Sequence, residues 1–356
     1  MSERRKKSGA KAAPKTAPKG APKPAPKPAP KPAPKPPPKP PSKPAPKAAP
    51  KARATVAPRK GPAFPAHLPG KLTHDEPLAR HTTFRIGGRA RYHFQPAHAE
   101  AVAEAVAWAG NEGLPWLVLG LGSNVLIRDG GFPGLVLKIG KGLDTVVHKA
   151  GTWKVGAGLP TPLLARKSAE AGFAGVQRLI GVPGTVGGGV FMNAGCHGQD
   201  FARVLESATV LTPKGQVAEL PRAKIPFSYR RSGLDGHVVL GCAVRLAEED
   251  PARVKADYTL YLKKRREGTP FDQPCCGSVF KNPEGNTAGR LIERCGLKGR
   301  RVGGARISEL HANYIVNGGG ASGDDVLKLI DIARTAVFKE YGIELELEVK
   351  VLGNAA

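Results

Sequence analysis

The segment GVPGTVGGGVFMNAG at 181–195 is the feature that most limits how this chain can fold. Its glycines stand among small and apolar residues, too many for an ordinary surface loop and too irregularly spaced for a helix. Glycine adopts positive φ and leaves amide N–H groups uncovered, so successive turns of this kind form concave nests that bind phosphate or another anion. The pattern predicts a place where the backbone comes very close to a ligand.

A second segment of this kind, LGLGSNVLIRD at 119–129, follows an apolar run and offers further backbone donors. Two such segments favour a cofactor that carries a diphosphate, although tight packing of turns is the alternative interpretation for either segment alone. The Rossmann and P-loop fingerprints are both absent, because Val125 occupies the third glycine position and no GxxxxGKS or GxxxxGKT occurs. We therefore expect the diphosphate to be held by another fold.

Residues 1–66 differ in composition from the rest of the chain. They consist mainly of Lys, Pro and Ala, and a lysine recurs at every fourth position from Lys11 to Lys51. Dense proline blocks helix formation and repelling lysines favour an extended chain, so we expect a disordered tail. The tail carries a net charge of +17 out of the overall +26. It should attract polyanions such as nucleic acid, acidic lipid or acidic protein, and the pattern does not identify which.

The sequence predicts neither secretion nor a membrane span nor a metal site. It lacks the apolar region of a signal peptide, and no run is long and apolar enough to cross a bilayer, so we expect a cytoplasmic protein. Separately, we expect a monomer. The five cysteines are an odd number, and the adjacent Cys275 and Cys276 lack the spacing of a zinc ribbon. We expect free thiols.

From about Leu68 onward, short β-rich runs alternate with amphipathic helices, which is typical of an α+β protein. Thr161 is placed to cap one helix, Ser322 and Asp325 can form a capping box on another, and Gly342 should end the latter. Strands are predicted near 91–94, 116–120, 135–139, 145–158, 208–220, 305–308, 312–317 and 343–353, and helices near 99–113, 161–172, 251–268, 288–296 and 322–342.

Polar residues in non-helical segments are the candidates for chemistry. Arg230 and Arg231 are fixed cations that can hold a carboxylate or phosphate through two hydrogen bonds. Ser278 has no histidine near in sequence and no GxSxG motif around it, so a nucleophilic role is weakly supported. A hydrogen-bond donor, a proton donor and a plain turn residue all stay open for it. The glutamates of 343–353 share one strand face, for which solvent exposure is expected.

Eight blocks, in their order and spacing, resemble the UDP-N-acetylenolpyruvoylglucosamine reductase (MurB) family. The resemblance covers nearly everything after about residue 70. Eight blocks in this order identify the family specifically, whereas any one block alone would be weak evidence for it. The blocks are TTFRIGGRA (82–90), LGLGSNVLIRDGG (119–131), GVPGTVGGGVFMNAG (181–195), PFSYRRS (226–232), GSVFKNP (277–283), AGRLIERCGLKG (288–299), HANYIVN (311–317) and LEVKVLG (347–353).

The resemblance implies two domains after the tail. Residues 67–250 would form an FAD-binding domain of the vanillyl-alcohol oxidase (PCMH) type with its core at about 84–250, and residues 251–353 a C-terminal α+β substrate-binding domain. The direct path from KKRREGTP to CCGSVFKNP is similar to the shorter family subtype, which lacks an inserted tyrosine-bearing loop.

The resemblance also implies a reaction. NADPH would reduce FAD and leave, and UDP-N-acetylglucosamine enolpyruvate would then be reduced to UDP-N-acetylmuramate for peptidoglycan. Arg230 matches the arginine that holds the substrate carboxylate, Ser278 the proton donor, and Glu348 the glutamate that assists the enolic intermediate. Another FAD-dependent oxidoreductase of the same superfamily, such as an oxidase, and a polyanion-binding protein that acts through its tail are the alternatives.

The remaining site residues also come from the resemblance. Substrate contacts are expected from Tyr229, Lys281 and Asn282. Contacts to FAD are expected from Ile86, Gly87, Gly120, Gly122, Ser123, Asn124, Val125, Leu126, Gly181, Pro183, Gly184, Thr185, Gly187, Gly188, Asn193 and Ala194.

Overall fold

The structure is a computed structural model, and it describes residues 61–356. Most of the predicted disordered tail, residues 1–60, lies outside the described residues. The strands are β1 Gly70–Pro77, β2 Arg89–Pro96, β3 Trp116–Leu119, β4 Val125–Ile127, β5 Phe132–Lys138, β6 Val146–Lys149, β7 Thr152–Gly156, β8 Phe173–Ala174, β9 Gly195–Cys196, β10 Gln199–Asp200, β11 Leu205–Leu211, β12 Val217–Pro221, β13 Val238–Arg245, β14 Ala247–Glu248, β15 Arg301–Val302, β16 Ala305–Ile307, β17 Ile315–Asn317 and β18 Lys350–Leu352.

Within residues 61–356, six α-helices lie between these strands, together with four short 3-10 helices. The α-helices are α1 Ala99–Asn111, α2 Thr161–Glu170, α3 Val186–Phe191, α4 Pro251–Gly268, α5 Ala288–Arg294 and α6 Gly323–Tyr341, and the 3-10 helices are Leu78–His81, Gln177–Gly181, Phe201–Arg203 and Arg222–Lys224. The α+β class predicted from the sequence is confirmed.

Residues 61–66, which composition assigned to the tail, pack on the folded part of the chain. The Tyr92 hydroxyl donates to the Pro62 carbonyl at 2.8 Å, and the indole N–H of Trp108 donates to the Ala63 carbonyl at 3.1 Å. The Phe64 ring packs edge-on against Trp108, with 4.8 Å between the ring centroids. The packed chain therefore begins before residue 67.

Two larger sheets and one small sheet organise the fold. The first has the order β1-β2-β5-β3, in which β1 and β2 are antiparallel and the other pairs are parallel. The second has the order β12-β11-β13-β7-β6 and is antiparallel throughout. The third has the order β15-β16-β17. Strand β18 leaves the C-terminal part and pairs in parallel with β4, which places the end of the chain beside the 119–129 segment.

Two main hydrophobic clusters hold these elements together. One joins both larger sheets to α1 and α2, and the other is built mainly from the C-terminal elements. The second cluster also takes in Phe84, Ile86 and Leu126, all at most 3% exposed. The C-terminal part therefore shares its core with the region around 84–126, and this shared packing fixes the catalytic candidates from both parts against each other.

The predicted capping of α6 is confirmed and that of α2 is wrong. Ser322 and Asp325 form a reciprocal capping box, and Gly342 ends the helix with φ of 67°. At α2 the N-cap residue is Pro160, and no side chain caps the helix. Thr161 is already helical and only 1% exposed, so its hydroxyl points into the fold and has no hydrogen-bond partner among residues 61–356.

The expectation that 181–195 is too irregular for a helix is wrong for its central part. Residues Val186–Phe191 form α3, which the Thr185 hydroxyl caps by accepting from the Gly188 amide. Its glycines permit close packing, since a Cβ on Gly187 would lie 2.7 Å from the Ala157 Cβ and one on Gly189 would lie 2.2 Å from the Phe201 ring. Tertiary contact here outweighs the low helix propensity of glycine.

The closing strand is shorter than predicted. Only Lys350–Leu352 pairs with a neighbouring strand. The residues before it form no continuous ladder and make one isolated β-bridge, between Leu347 and Phe280. Glu344 and Glu346 are exposed, as the strand pattern predicted. The Glu348 side chain is only 18% exposed, so the expectation of a solvated face is wrong for that residue.

Candidate active site

The two glycine-rich segments meet directly. The Ser123 hydroxyl donates to the Pro183 carbonyl at 2.9 Å. A Cβ on Gly120 would lie 2.4 Å from the Thr185 hydroxyl oxygen, and one on Gly184 would lie 2.8 Å from the Ser123 hydroxyl oxygen. The segments approach this closely because those positions carry no side chain. They form one continuous surface, which we call the glycine platform and define as residues 120–124 and 183–185.

Backbone amides on the glycine platform lack acceptors among residues 61–356. Of the residues concerned, Gly122, Ser123, Gly184 and Thr185 are themselves buried. Buried N–H groups are rarely left unpaired, so the platform fits a ligand that brings several acceptor oxygens, as a pyrophosphate does. The unpaired amides are those of Leu121, Gly122, Ser123, Asn124, Gly184 and Thr185.

Ile86 and Gly87 lie in a turn against the platform. The Thr83 amide donates to the Gly122 carbonyl at 3.1 Å, and the Thr82 hydroxyl donates to the Ile86 carbonyl at 2.9 Å. The Ile86 side chain is 3% exposed in the C-terminal core, so this residue can offer a ligand only its backbone. Gly87 has φ of 143°, which favours glycine.

At several other residues expected to contact FAD, the side chain or the space for a Cβ atom is packed against other protein atoms. The Leu126 side chain is fully buried, and Val125 beside it pairs with Lys350 across β4 and β18. A Cβ on Gly181 would lie 2.6 Å from the Cys196 sulfur. Gly187 faces Ala157, as described above. Gly188 differs from these, because it is exposed and a Cβ there would meet only the Thr185 hydroxyl, at 3.7 Å.

Asn193 connects the glycine-rich segment to the arginine turn. It is 4% exposed with φ of 44°. Its Nδ2 donates to the Ser228 carbonyl at 2.9 Å, and its Oδ1 accepts from the Ala202 amide at 3.0 Å. Neighbouring Ala194 donates its amide to the Gly189 carbonyl. The Asn193 side chain therefore positions the turn at 228–231 and has little capacity left for a ligand.

Arg230 occupies a strained backbone position. The Arg231 amide donates to the Ser228 carbonyl at 3.2 Å and the Ser228 amide to the Arg231 carbonyl at 2.9 Å, which closes a tight turn with Tyr229 and Arg230 at its centre. Arg230 has φ of 58°, in the left-handed region that favours glycine. A non-glycine residue there costs on the order of 1 kcal/mol, and such strain concentrates at functional sites.

The Arg230 guanidinium is held by two acceptors. Its Nε donates to Oε1 of Glu348 at 2.9 Å, and its Nη2 donates to the Gly195 carbonyl at 2.9 Å. Both side chains of the ion pair are 18% exposed. The guanidinium also stacks on the Tyr229 ring, with Cζ 5.0 Å from its centroid. Five guanidinium donors exceed these two acceptors, so Arg230 can still bind an anionic group.

Glu348 lies between the arginine turn and the glycine platform. Its backbone carbonyl accepts from Nδ2 of Asn124 at 3.1 Å. Burial raises the pKa of the Glu348 carboxyl, and the charge of Arg230 opposes that rise without cancelling it. Asn124 thus joins the platform to the glutamate, a contact that the expectation of FAD binding did not include.

Ser278 is placed next to Glu348 by backbone pairing. The Glu348 amide donates to the carbonyl of Val279, the residue after Ser278, at 2.9 Å. Gly277 has φ of 79°, and a Cβ there would lie 3.9 Å from both Pro183 and the Ser123 carbonyl, so the turn before Ser278 borders the platform. Among the described residues the Ser278 hydroxyl has no hydrogen-bond partner, which leaves it free to donate to a ligand.

Two of the three expected substrate residues form hydrogen bonds or ion pairs within the protein. Lys281 is 14% exposed and its Nζ forms an ion pair with Glu346. Asn282 is exposed, and its Oδ1 accepts from the Ala288 amide at 3.1 Å at the start of α5. Its Nδ2 remains available. Tyr229 is 52% exposed beside Arg230.

Sequence analysis did not single out Asn313, which fixes the serine segment. Asn313 is 3% exposed, and its Nδ2 donates to the Phe280 carbonyl at 2.8 Å while its Oδ1 accepts from the Phe280 amide at 2.9 Å. It lies within the HANYIVN block. Asn313 pairs with both backbone groups of a residue that is distant in sequence, and no local sequence pattern predicts such a contact. The only sequence signal was the block itself.

Neither a metal cluster nor a membrane helix is found in the part of the chain that the structure describes. No group of three or more His, Cys, Asp or Glu side chains within 61–356 could hold a metal ion. No helix among those residues is long and apolar enough to cross a bilayer.

Comparison with known proteins gives consistent matches over both parts of the chain. A model of the FAD binding domain matches residues 90–221, and a model of the UDP-N-acetylenolpyruvoylglucosamine reductase C-terminal domain matches residues 269–352. A UDP-N-acetylenolpyruvoylglucosamine reductase of Rubrobacter xylanophilus is 44% identical over 79% of this chain and 95% of its own length. One of Symbiobacterium thermophilum is 42% identical over 80% of this chain and 94% of its own length.

A solved structure supports the same assignment. The crystal structure of the reductase from Thermus caldophilus is 35% identical in sequence, with a TM-score of 0.68, and the match covers 80% of this chain and 99% of that one. The chain therefore belongs to the UDP-N-acetylenolpyruvoylglucosamine reductase (MurB) family.

Proposed function

We propose that this protein reduces UDP-N-acetylglucosamine enolpyruvate to UDP-N-acetylmuramate through bound FAD, with electrons from NADPH, in peptidoglycan precursor synthesis. The observation that carries the proposal is the partly buried Arg230–Glu348 pair, which Asn124 links to a platform of unpaired amides. The name shared by the relatives supplies the substrate.

The glycine platform suits the pyrophosphate of FAD. The unpaired amides of residues 121–124, together with those of Gly184 and Thr185, would donate to its oxygens, and the absence of side chains at Gly120 and Gly184 lets the two segments that carry these amides come together. When bound, FAD supplies hydride transfer between NADPH and the enolpyruvyl group.

Arg230 holds the substrate carboxylate in this proposal. Addition of a hydride to the terminal carbon of the enol ether turns its CH2 group into CH3 and leaves an electron pair on the carbon beside the carboxylate. The charge spreads into the carboxylate, and a guanidinium fixed in advance by Glu348 and the Gly195 carbonyl stabilises it without reorganising. The strained φ of Arg230 supports this role.

Ser278 completes the reaction by donating its hydroxyl proton to that carbon. A general acid needs a free proton and a short path to the acceptor, and the Ser278 hydroxyl has no competing partner among residues 61–356. The serine oxygen then recovers a proton from water. No neighbouring base is required, which agrees with the absence of a nearby histidine in the sequence.

Glu348 has a part in both binding and protonation. Its carboxylate orients Arg230, and its raised pKa keeps a larger protonated fraction than an exposed glutamate would have. The protonated form can donate a hydrogen bond to the enolic oxygen. Tyr229, Lys281 and Asn282 are proposed to contact the nucleotide part of the substrate, Asn282 through its available Nδ2.

The division into an FAD-binding domain at 67–250 and a substrate-binding domain at 251–353 belongs to the same proposal. The two matched family models fall on either side of residue 250, which supports it. We also propose that the protein acts in the cytoplasm, because NADPH and nucleotide sugars are reactants of that compartment. For its assembly, we propose a monomer.

The basic residues before Gly61 suggest a second, independent property. Residues 1–66 carry a net charge of +17, and such a segment binds polyanions in a manner that weakens with salt. We propose that the tail binds a polyanion while the packed part carries out the reduction.

Purified protein tests the enzymatic proposal. It should be yellow, and in air it should consume NADPH rapidly only when UDP-N-acetylglucosamine enolpyruvate is present. Rapid consumption of NADPH with oxygen alone, unaffected by the nucleotide, would identify an oxidase of the same superfamily instead. A colourless protein that cannot take up FAD would contradict both.

A further inference from the structure

Lys138 ends strand β5 beneath the glycine platform. Its Nζ donates a hydrogen bond to the carbonyl of Gly120, the first residue of that platform. Lys138 lies on the same face of β5 as Val136, and Leu119 beside it in β3 belongs to the same apolar cluster as Val136. The ammonium group is therefore directed at the platform from the side of the protein interior.

No carboxylate neutralises Lys138 among residues 61–356, since none lies within ion-pair distance of its Nζ. The carboxylate of Glu76 is itself engaged by Nε2 of His81 at 2.9 Å. A partly buried ammonium without a counter-ion is unfavourable, and burial accordingly lowers the pKa of Lys138.

The other titratable side chain packed near Lys138 is His93. It is 5% exposed, its ring lies 4.2 Å from the His81 ring, and its Nε2 has no partner among the described residues. Burial and the charges of His81 and Lys138 lower the pKa of His93 to about 4. His93 is therefore neutral near pH 7, and Lys138 provides the local positive charge.

We propose that Lys138 is a positioning residue for the FAD pyrophosphate: its ammonium fixes the Gly120 carbonyl on the interior side, so that the following amides point outward, and its unpaired charge attracts the diphosphate. This inference rests on the proposed use of FAD. It explains why an uncompensated cation is kept beneath a set of unpaired N–H groups, because the bound pyrophosphate supplies the missing negative charge.

The test measures FAD affinity with FAD-free full-length protein. Lys138→Met keeps the length of the side chain and removes its charge, and we expect the Kd for FAD to rise about tenfold at low ionic strength. The rise should shrink at high salt, because screening weakens a charge effect and leaves a purely steric one unchanged. Lys154→Met removes the same charge from an exposed position on β7 and should leave the Kd unchanged. Lys138→Arg should stay close to the wild type.

The melting temperature of the FAD-free variants separates positioning from simple stability. The proposal is overturned if Lys138→Met binds FAD as tightly as Lys154→Met. It is equally overturned if the loss of affinity is independent of salt and accompanied by a matching fall in the melting temperature of the FAD-free protein.

A measurement on the wild-type protein applies even where Lys138→Met does not fold. Nuclear magnetic resonance of the lysine Cε and Nζ nuclei reports the pKa of Lys138, which should rise when FAD binds because a negative pyrophosphate then lies nearby. An unchanged pKa contradicts the proposal. Wild-type protein that fails to bind FAD would instead contradict the assignment of the cofactor.

Discussion

Arg230 and Glu348 lie in different parts of the chain, yet Nε of the arginine donates to Oε1 of the glutamate at 2.9 Å within the fold. Three separate structural features hold the pair in place. A turn holds Arg230 with φ of 58°, the Gly195 carbonyl takes a second guanidinium N–H, and Asn124 holds the backbone of Glu348. The geometry of a fixed cation beside a carboxyl whose pKa is raised by burial is the basis of the predictions that follow.

Replacement of Arg230 should abolish charge stabilisation in the substrate half-reaction. We expect Arg230→Lys to lower kcat by about 100-fold or more, because an ammonium is a point charge and cannot reproduce the fork that contacts Glu348, Gly195 and a carboxylate together. Flavin reduction by NADPH should be little affected, and rapid-mixing absorbance of the flavin separates the two steps. Equal losses in both half-reactions would show that Arg230 acts on folding or on FAD.

Ser278→Ala should leave flavin reduction by NADPH intact while the step with the enolpyruvyl nucleotide slows by about 100-fold or more, because the carbanion lacks its proton donor. Ser278→Cys supplies a different acid and should recover part of the rate. Anaerobic rapid mixing of each half-reaction provides the measurement. Turnover by Ser278→Ala at the wild-type rate would eliminate this serine as the acid.

Two glycines distinguish packing between the loops from contact with a ligand. Gly120→Ala places a Cβ 2.4 Å from the Thr185 hydroxyl and should destabilise even the FAD-free protein, by about 1–3 kcal/mol. Gly188→Ala has room within the protein and lies in α3, so the FAD-free stability should be unchanged or slightly raised, whereas FAD binding should weaken because Gly188 is expected at the cofactor. Gly110→Ala, in open space within α1, is a matched control.

Denaturant unfolding of each variant, with and without FAD, gives both quantities. Gly110→Ala should be neutral or slightly stabilising, because alanine favours a helix over glycine by up to about 1 kcal/mol. Wild-type stability for Gly120→Ala would show that the two glycine-rich segments can separate freely.

The pH dependence of stability should carry the signature of Glu348. Its pKa in the folded state is raised by burial, so the folded protein binds more protons than the unfolded one as the pH rises from the ordinary glutamate range to the raised value. The contribution of Glu348 to stability is therefore complete at low pH and declines through that window. Glu348→Gln removes this decline.

The free energy of unfolding of the wild type, relative to that of Glu348→Gln, should thus be highest at acidic pH. This relative stability should fall as the pH rises. Denaturant titrations at several pH values measure it. A difference that grows with pH would mean that the ion pair with Arg230 outweighs burial and that the pKa of Glu348 is lowered.

The start of the packed chain predicts different outcomes for two deletions. Removal of residues 1–60 should leave turnover and stability unchanged and reduce retention on heparin, because most of the net positive charge is lost. Removal of residues 1–66 should also cost about 2 kcal/mol of stability, since Phe64 and the acceptors for Tyr92 and Trp108 are lost. Strong retention on heparin after the shorter deletion would place the basic surface elsewhere.

The fold class and the family followed from local patterns. Glycine density predicted backbone that approaches a ligand, and the order of eight blocks gave the family, because these features are written in consecutive residues. The capping box of Ser322 and Asp325 was predictable for the same reason. Alternation along 343–353 correctly placed Glu344 and Glu346 in solvent.

What the sequence could not provide depends on contacts between distant segments. Glu348 is partly buried and is contacted by Arg230 and Asn124 from other parts of the chain, which no strand pattern encodes. The glycines at 187–189 argued against a helix, yet residues 186–191 are helical. The reason for glycine at 189 is a distant contact, because the Phe201 ring occupies the space that a Cβ there would need. Thr161 had the right residue type for a cap and the wrong position by one residue.

In the proposed reaction, hydride passes from NADPH through FAD to an enolpyruvyl nucleotide beside Arg230, Ser278 and Glu348. The most direct measurement reduces the FAD-loaded protein with NADPH under anaerobic conditions and then adds UDP-N-acetylglucosamine enolpyruvate. The account predicts that the oxidised flavin spectrum returns without oxygen and that UDP-N-acetylmuramate forms in an amount equal to the flavin. Flavin that stays reduced until air is admitted, with no product formed, would contradict it.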